Sequence, residues 1–154
     1  MRVTLLSALI FAFGVPARAQ MPVSDTSAVL AVVHRLFDGM RTADSAKVRS
    51  TLAAGVRFVD ADTTGGVHFS SVDRWLAGIA RSAGRWDEQI YNVQVRVDDN
   101  IAQIWAPYTF YVGDRLSHCG TDTAELTRTS RGEWKITQLA DTHRESGCPD
   151  PRRH

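Results

Sequence analysis
The chain has 154 residues, 44% of them hydrophobic and 23% charged, with a formal net charge of +1. That length suits one domain able to bury a real core. So even a charge balance excludes a protein whose affinity comes from neutralising phosphates, and no nucleic-acid partner is expected.

The chain opens M-R-V-T-L-L-S-A-L-I-F-A-F-G-V-P-A-R-A-Q. A basic start at Arg2, an apolar run from Val3 to Val15 and the small-x-small site Ala17-Arg18-Ala19 have the layout of a secretory signal peptide, residues 1–19, cut after Ala19. The run is shorter than the roughly 20 residues of a membrane-spanning helix, so no stable anchor is expected. Cleavage removes Arg2 and Arg18 and no acid, taking the net charge from +1 to −1. Residues 20–154 then form a single exported domain, periplasmic or extracellular, with its core at about 24–145.

Ser24-Asp25-Thr26 offers a helix cap, and Val29, Val32, Val33, Leu36, Phe37 and Met40 follow at helical spacing. Asp44 caps a second helix in which Val48 and Leu52 share a face and which Gly55 ends. Val56 to Val59 reads as a short strand running into Asp60. Thr63 to Gly66 is a turn, and Val67 to Phe69 a second short strand. Ser70 or Ser71 caps a third helix carrying Val72, Trp75, Leu76, Ile79 and Ala80, which Gly84 ends.

From Ile90 the period becomes two. Strands are expected over Ile90–Val97, Ile101–Val112, Leu116–Thr129 and Trp134 to about His143, joined by turns at Asp98–Asn100, Gly113–Arg115 and Ser130–Gly132. Pro107 marks a bulge or an edge. Three helices followed by three hairpins give an α+β domain, an antiparallel sheet with helices on one side.

The strand after Gly113 holds S-H-C-G-T-D, residues 117–122. Cys119 can be a nucleophile beside His118, a metal ligand or half of a disulfide with Cys148, the only other cysteine. Successive strand residues point to opposite faces, so His118 is badly placed to deprotonate Cys119. Export favours the Cys119–Cys148 bond. His118 and Asp122 share the more apolar face, about 13 Å apart along the strand, with room for a ligand group between them.

The first helix through L-F-D-G-M-R-T-A-D, the strand V-R-F-V-D at 56–60, the run W-A-P-Y-T-F-Y and the segment G-E-W-K-I-T-Q-L-A-D-T at 132–142 resemble the nuclear transport factor 2-like superfamily. The resemblance is to its SnoaL-like and ketosteroid-isomerase-like branch. It implies a cone: a curved antiparallel sheet packed on three N-terminal helices, with a pocket at the open end. In the isomerase branch the aspartate ending the first strand is the proton-shuttling base, and Asp60 matches it. The tyrosine that stabilises the enolate in that branch falls at Leu36 here. The dehydratase branch uses pocket histidines with a carboxylate, which His68, His118 and Asp60 could imitate.

The expectation is an exported domain that holds a small apolar molecule in the cone. Asp60, His118 and Asp122 are its polar and candidate catalytic groups, and Leu36, Trp75, Trp105, Tyr108, Phe110 and Ala124 its wall. Trp86 and Tyr111 are further candidates, while His34 and His143 are placed on the surface. No close-spaced ligand pair calls for a metal, and no cofactor is expected. The alternatives are a cofactor-free isomerase or dehydratase with Asp60 as general base, and a non-catalytic homodimerisation module using the outer sheet face.

Overall fold
Helix α1 (Asp25–Arg41) begins where Ser24 accepts a hydrogen bond from the Ser27 N–H. Asp25 in its first turn and Arg41 in its last both suit the helix dipole. The helix buries Val29, Val33, Leu36, Phe37 and Met40, each worth about 1.5–3 kcal/mol when removed from water. These residues belong to a computed structural model that describes 24–62, 64–83, 85–150 and Arg152. The expected signal peptide with its cleavage site, Gly84 as a helix stop and the end of the basic tail lie outside the described residues.

Helix α2 (Ser45–Arg49) is capped by Asp44, which accepts from the Lys47 N–H. It does not reach Leu52. The chain enters strand β1 (Leu52–Ala61) there instead. Gly55, expected to stop a helix, sits inside the strand at φ 74°, where the pairing register shifts between Leu52 and Arg57. Strand β2 (Val67–Ser70) pairs antiparallel with β1. Helix α3 (Val72–Arg81) is capped by Ser71 and buries Leu76 and Ile79.

The remaining strands are β3 (Trp86–Ile90), β4 (Gln94–Asp98), β5 (Ile101–Val112), β6 (Arg115–Arg128) and β7 (Trp134–Thr142). They form a curved, unclosed sheet in the order β2-β1-β7-β6-β5-β3, with β4 also on β5. All pairs are antiparallel except β1 with β7, which is parallel.

The single strand expected over Ile90–Val97 is two strands. Both lie on the same edge of β5, β3 against Tyr108–Val112 and β4 against Ile101–Trp105. Pro107 sits at the gap between them, where its missing N–H is not needed, and its carbonyl accepts from the Tyr91 N–H at 3.0 Å. The register shift along β5 and β6 falls where Phe110 and Tyr111 pair with His118 and Leu116, so the extra residue is Ser117 of β6, and Pro107 is not at a bulge.

Ala102, Ile104, Ala106, Ala124, Leu126 and Ile136 of the sheet's inner face share one core with the buried residues of α1. On the outer face the chain beyond β7 folds back. Cys119 and Arg144 exchange two backbone hydrogen bonds of 3.0 Å, and Cys119 is bonded to Cys148 as expected. The Tyr111 hydroxyl donates to Asp150 at 2.8 Å. The Arg152 guanidinium lies 3.7 Å from the Tyr111 ring centroid and pairs with Asp87. This strap buries Thr109, Tyr111 and Cys119, which otherwise face outward.

Candidate functional site
Pairing register brings three aspartates into one row. Asp60 of β1 lies opposite Asp141 of β7, and Asp141 lies opposite Asp122 of β6. Paired residues on adjacent strands project to the same face. Here that face is the inner one, so the row forms the floor of a cavity of about 280 Å³. Glu88 of β3 joins it from the far edge. Leu36, Phe37 and Met40 of α1, Trp75 of α3, and Phe58, Trp86 and Phe110 supply apolar wall. The Phe58 and Trp75 rings meet edge to face at 4.9 Å.

Asp141 reaches the cavity through a bulge. Leu126 pairs with Ile136, but Glu125 pairs with Gln138, so Thr137 is an extra residue in β7. Strict alternation from Trp134 and Ile136 would send Gln138 and Ala140 inward. The extra residue reverses the parity and turns Leu139 and Asp141 inward instead.

Removal from water is the first cause of each shift at the carboxyls. It pushes Asp122 up to about 6. It pushes Asp141 up to about 7, helped by the charges of Asp122 and Asp60. Glu88 is held well above the usual carboxylate range by burial and then by Asp122. It is half-buried and lines the cavity. Of the Glu88 and Asp122 carboxyls, Glu88 is the one raised further, so it keeps its proton to the higher pH. Asp122 Oδ2 has no partner among the described residues.

The Tyr108 hydroxyl lies 3.2 Å from Asp141 Oδ2 and 3.0 Å from the Thr142 carbonyl oxygen. Its single proton serves one of them at a time. Protonated Asp141 can donate to the hydroxyl oxygen while the hydroxyl donates to Thr142. Burial and then Asp141 hold the Tyr108 phenol above its ordinary value. Gly120 lies opposite Tyr108, and a Cβ there would strike the Thr142 carbonyl and the tyrosine ring.

His118 stacks between Phe110 and His143, with centroid distances of 4.7 and 3.9 Å. Burial, and then the charge of His143, lowers it to about 4, so its ring is neutral near pH 7. Asp60 accepts a hydrogen bond from the Ser70 hydroxyl.

The structure thus brings Asp60, His118 and Asp122 to one cavity, with Leu36, Trp75, Tyr108 and Phe110 around it. Ala124 does not line it; it is buried beneath, among Ile104, Ala106 and Ile136. Trp105 is not part of the wall either. It has the opposite strand parity to Tyr108 and Phe110, so it points outward and is 53% exposed. Tyr111 also faces outward, under the strap. His68 lies outside the cavity, exposed and held by Asp62 at 3.0 Å, and so cannot complete a histidine set there. His143 is exposed as expected, yet it stands at the cavity mouth. Sequence reasoning missed Glu88, because the strand was started at Ile90, and Asp141, because the bulge is invisible in the alternation. Among the described residues no group of three or more His, Cys, Asp or Glu side chains is disposed to hold a metal ion.

A carboxyl that titrates near neutrality can give a proton as well as take one. The site can therefore donate hydrogen bonds to a ligand oxygen, accept them from a ligand N–H or O–H, or move a proton between two ligand atoms.

The sequence matches no family model and no curated protein sequence. The fold matches many solved structures. A nuclear transport factor 2-like protein of unknown function from Shewanella baltica superposes with a TM-score of 0.64 at 13% identity, over 79% of this chain and 95% of that one. A presumptive ketosteroid isomerase from Shewanella frigidimarina gives 0.59 at 21% identity, over 75% and 94%. A presumptive dehydratase of the same family from Streptomyces avermitilis gives 0.58 at 17%, over 78% and 96%. The chain therefore has the nuclear transport factor 2-like fold. At these identities the likeness concerns the fold alone.

Proposed function
We propose that the protein binds a small, mainly apolar molecule in the cone, with a polar group of the ligand set on the carboxyl row. The observation that carries this reading is the cavity of about 280 Å³, walled by helix side chains and floored by Asp60, Asp141 and Asp122. That volume is near the lower end of small-molecule sites, about 300–1,000 Å³, and suits a compact ring system better than a long chain. The Cys119–Cys148 bond supports a place of action outside the reducing cytoplasm. Calorimetric titration with 1-naphthylmethanol tests the reading. Saturable binding is expected in the native protein and loss of it in Leu139→Phe, which narrows the cavity. Equal binding by both proteins would sink the assignment of the site.

A second reading is cofactor-free proton transfer, as in an isomerase or dehydratase, and the near-neutral pair Asp122 and Asp141 favours it. The names of two structural neighbours lie in this direction. Asp60 is the base of this reading and Asp122 the acid. Asp60→Asn should then abolish turnover of a substrate while leaving its binding in place. A third property, pairing of two copies through the outer sheet face, draws support from exposed Ile101 and Trp105.

A further inference from the structure
The cavity carries four carboxyls, those of Asp60, Glu88, Asp122 and Asp141, and none of its lining residues is Lys or Arg. The groups that face Asp122 come from several elements: Glu88 from β3, Tyr108 from β5 and Asp141 from β7. Asp60 faces Asp141 from β1, and the stacked His118 and His143 close the mouth. Asp87 adds repulsion to Glu88 from the outer face, where it pairs with Arg152. Helices α1 and α3 contribute only apolar side chains to the lining.

Asp122 is 6% exposed, and its Oδ2 is an acceptor without a donor among the described residues. A buried oxygen in that state is costly and demands a partner. A carbonyl oxygen would leave Oδ2 unsatisfied, and a neutral hydroxyl has one proton, enough for Oδ2 and for no other carboxylate of the row. A cation would attract every carboxyl in the row at once, and in an enclosed, poorly solvated site that attraction is far stronger than in water. An ammonium group has three N–H donors, enough for Asp122, Asp141 and Glu88 together. Trp75, Trp86 and Phe110 line the same space, and aromatic rings attract cations.

We propose that the cavity takes a small organic cation, a primary amine on a compact ring body, with its ammonium group on Asp122 Oδ2 between Asp141 and Glu88. This rests on the reading of the cone as a small-molecule site and names the ligand class.

The test uses the whole protein and two probes of one shape, 1-naphthylmethylamine and 1-naphthylmethanol, titrated calorimetrically at pH 5.5 and 7.5 in two buffers of different ionisation heat. The amine is charged at both pH values, whereas the carboxyls must lose protons to receive it. Its affinity should rise at least about tenfold between pH 5.5 and 7.5, with net proton release. The alcohol should bind no more tightly at the higher pH. Asp122→Asn should lower the preference for amine over alcohol about tenfold, with an unchanged circular dichroism spectrum as the check on folding. If that variant is unfolded, Glu88→Gln takes its place with the same expectation. An alcohol as tight as the amine at pH 7.5, or an amine affinity flat in pH, overturns the cation assignment and leaves the small-molecule reading standing. Displacement of the amine by millimolar calcium chloride reassigns the row to a metal ion and also overturns it. Failure of both probes to bind removes the underlying reading as well.

Discussion

At the scale of single residues, the carboxyl row sets the pH response of the fold. Asp122 and Asp141 hold protons in the folded state up to about 6 and 7, whereas an unfolded aspartate loses its proton near 3.9. Between those values the native state binds more protons than the unfolded state, so stability falls as pH rises and levels off above about 7. His118 works the other way. Its folded value of about 4 lies below the unfolded 6.5, so its contribution is complete above 6.5 and is lost as pH falls to 4. Raised carboxyls outnumber the imidazole, and the native protein should therefore be more stable at pH 5 than at pH 7.5. Asp141→Asn should reduce that difference by about 1–2 kcal/mol, read from urea unfolding at the two pH values. An unchanged difference would place the titrating group elsewhere. Gly120→Ala is a packing test: the added methyl must displace the Thr142 carbonyl or Tyr108, and a loss of roughly 1–3 kcal/mol is expected in the same assay.

At the scale of elements, the strap after β7 is held by one covalent bond together with its hydrogen bonds and the Arg152–Asp87 pair. The Cys119–Cys148 bond closes a separation of 29 residues, which the chain-entropy relation values at about 3.5 kcal/mol. Cys148→Ser should lower stability by about that amount. It should also expose Tyr111, detectable as increased quenching of tyrosine by acrylamide. The elements themselves were legible where one signal dominated. Ser24, Asp44 and Ser71 marked the three helix starts, and alternation marked β5 and β6. The second helix was overextended because Leu52 continues its apolar face, although a five-residue helix leaves that residue to β1. The site was legible in part: His118 and Asp122 were placed from alternation, Asp60 from a family likeness, and Tyr108 and Phe110 only as aromatic residues able to line a cavity. Trp105 was misplaced although its own parity argued against it. Asp141 could not be found, since one unpaired residue at Thr137 decides which way it points and no local sequence signal marks that bulge.

At the scale of the whole molecule, the cone keeps a space that a tighter core would fill. A ligand that enters only the native state stabilises it by about 2.7 kcal/mol at a hundredfold excess over its Kd. Thermal melts with the naphthyl amine at pH 7.5 should rise accordingly, and melts of Leu139→Phe should not respond. The outer face bears on assembly. If two copies meet there, Trp105→Glu should convert dimer to monomer in sedimentation velocity, without moving the melt of the cavity-bound state.

The place of β7 between β1 and β6 orders events in time as well as space. Ribosomes make this strand last, yet it belongs in the middle of the sheet, so most of the chain must wait for it. Until it inserts, no carboxyl stands between Asp60 and Asp122. Its arrival drives Asp141 between them and adds its repulsion to that already present between Asp122 and Glu88. Refolding should consequently run faster in mildly acidic buffer than in alkaline buffer, with the barrier set by the closing of the sheet.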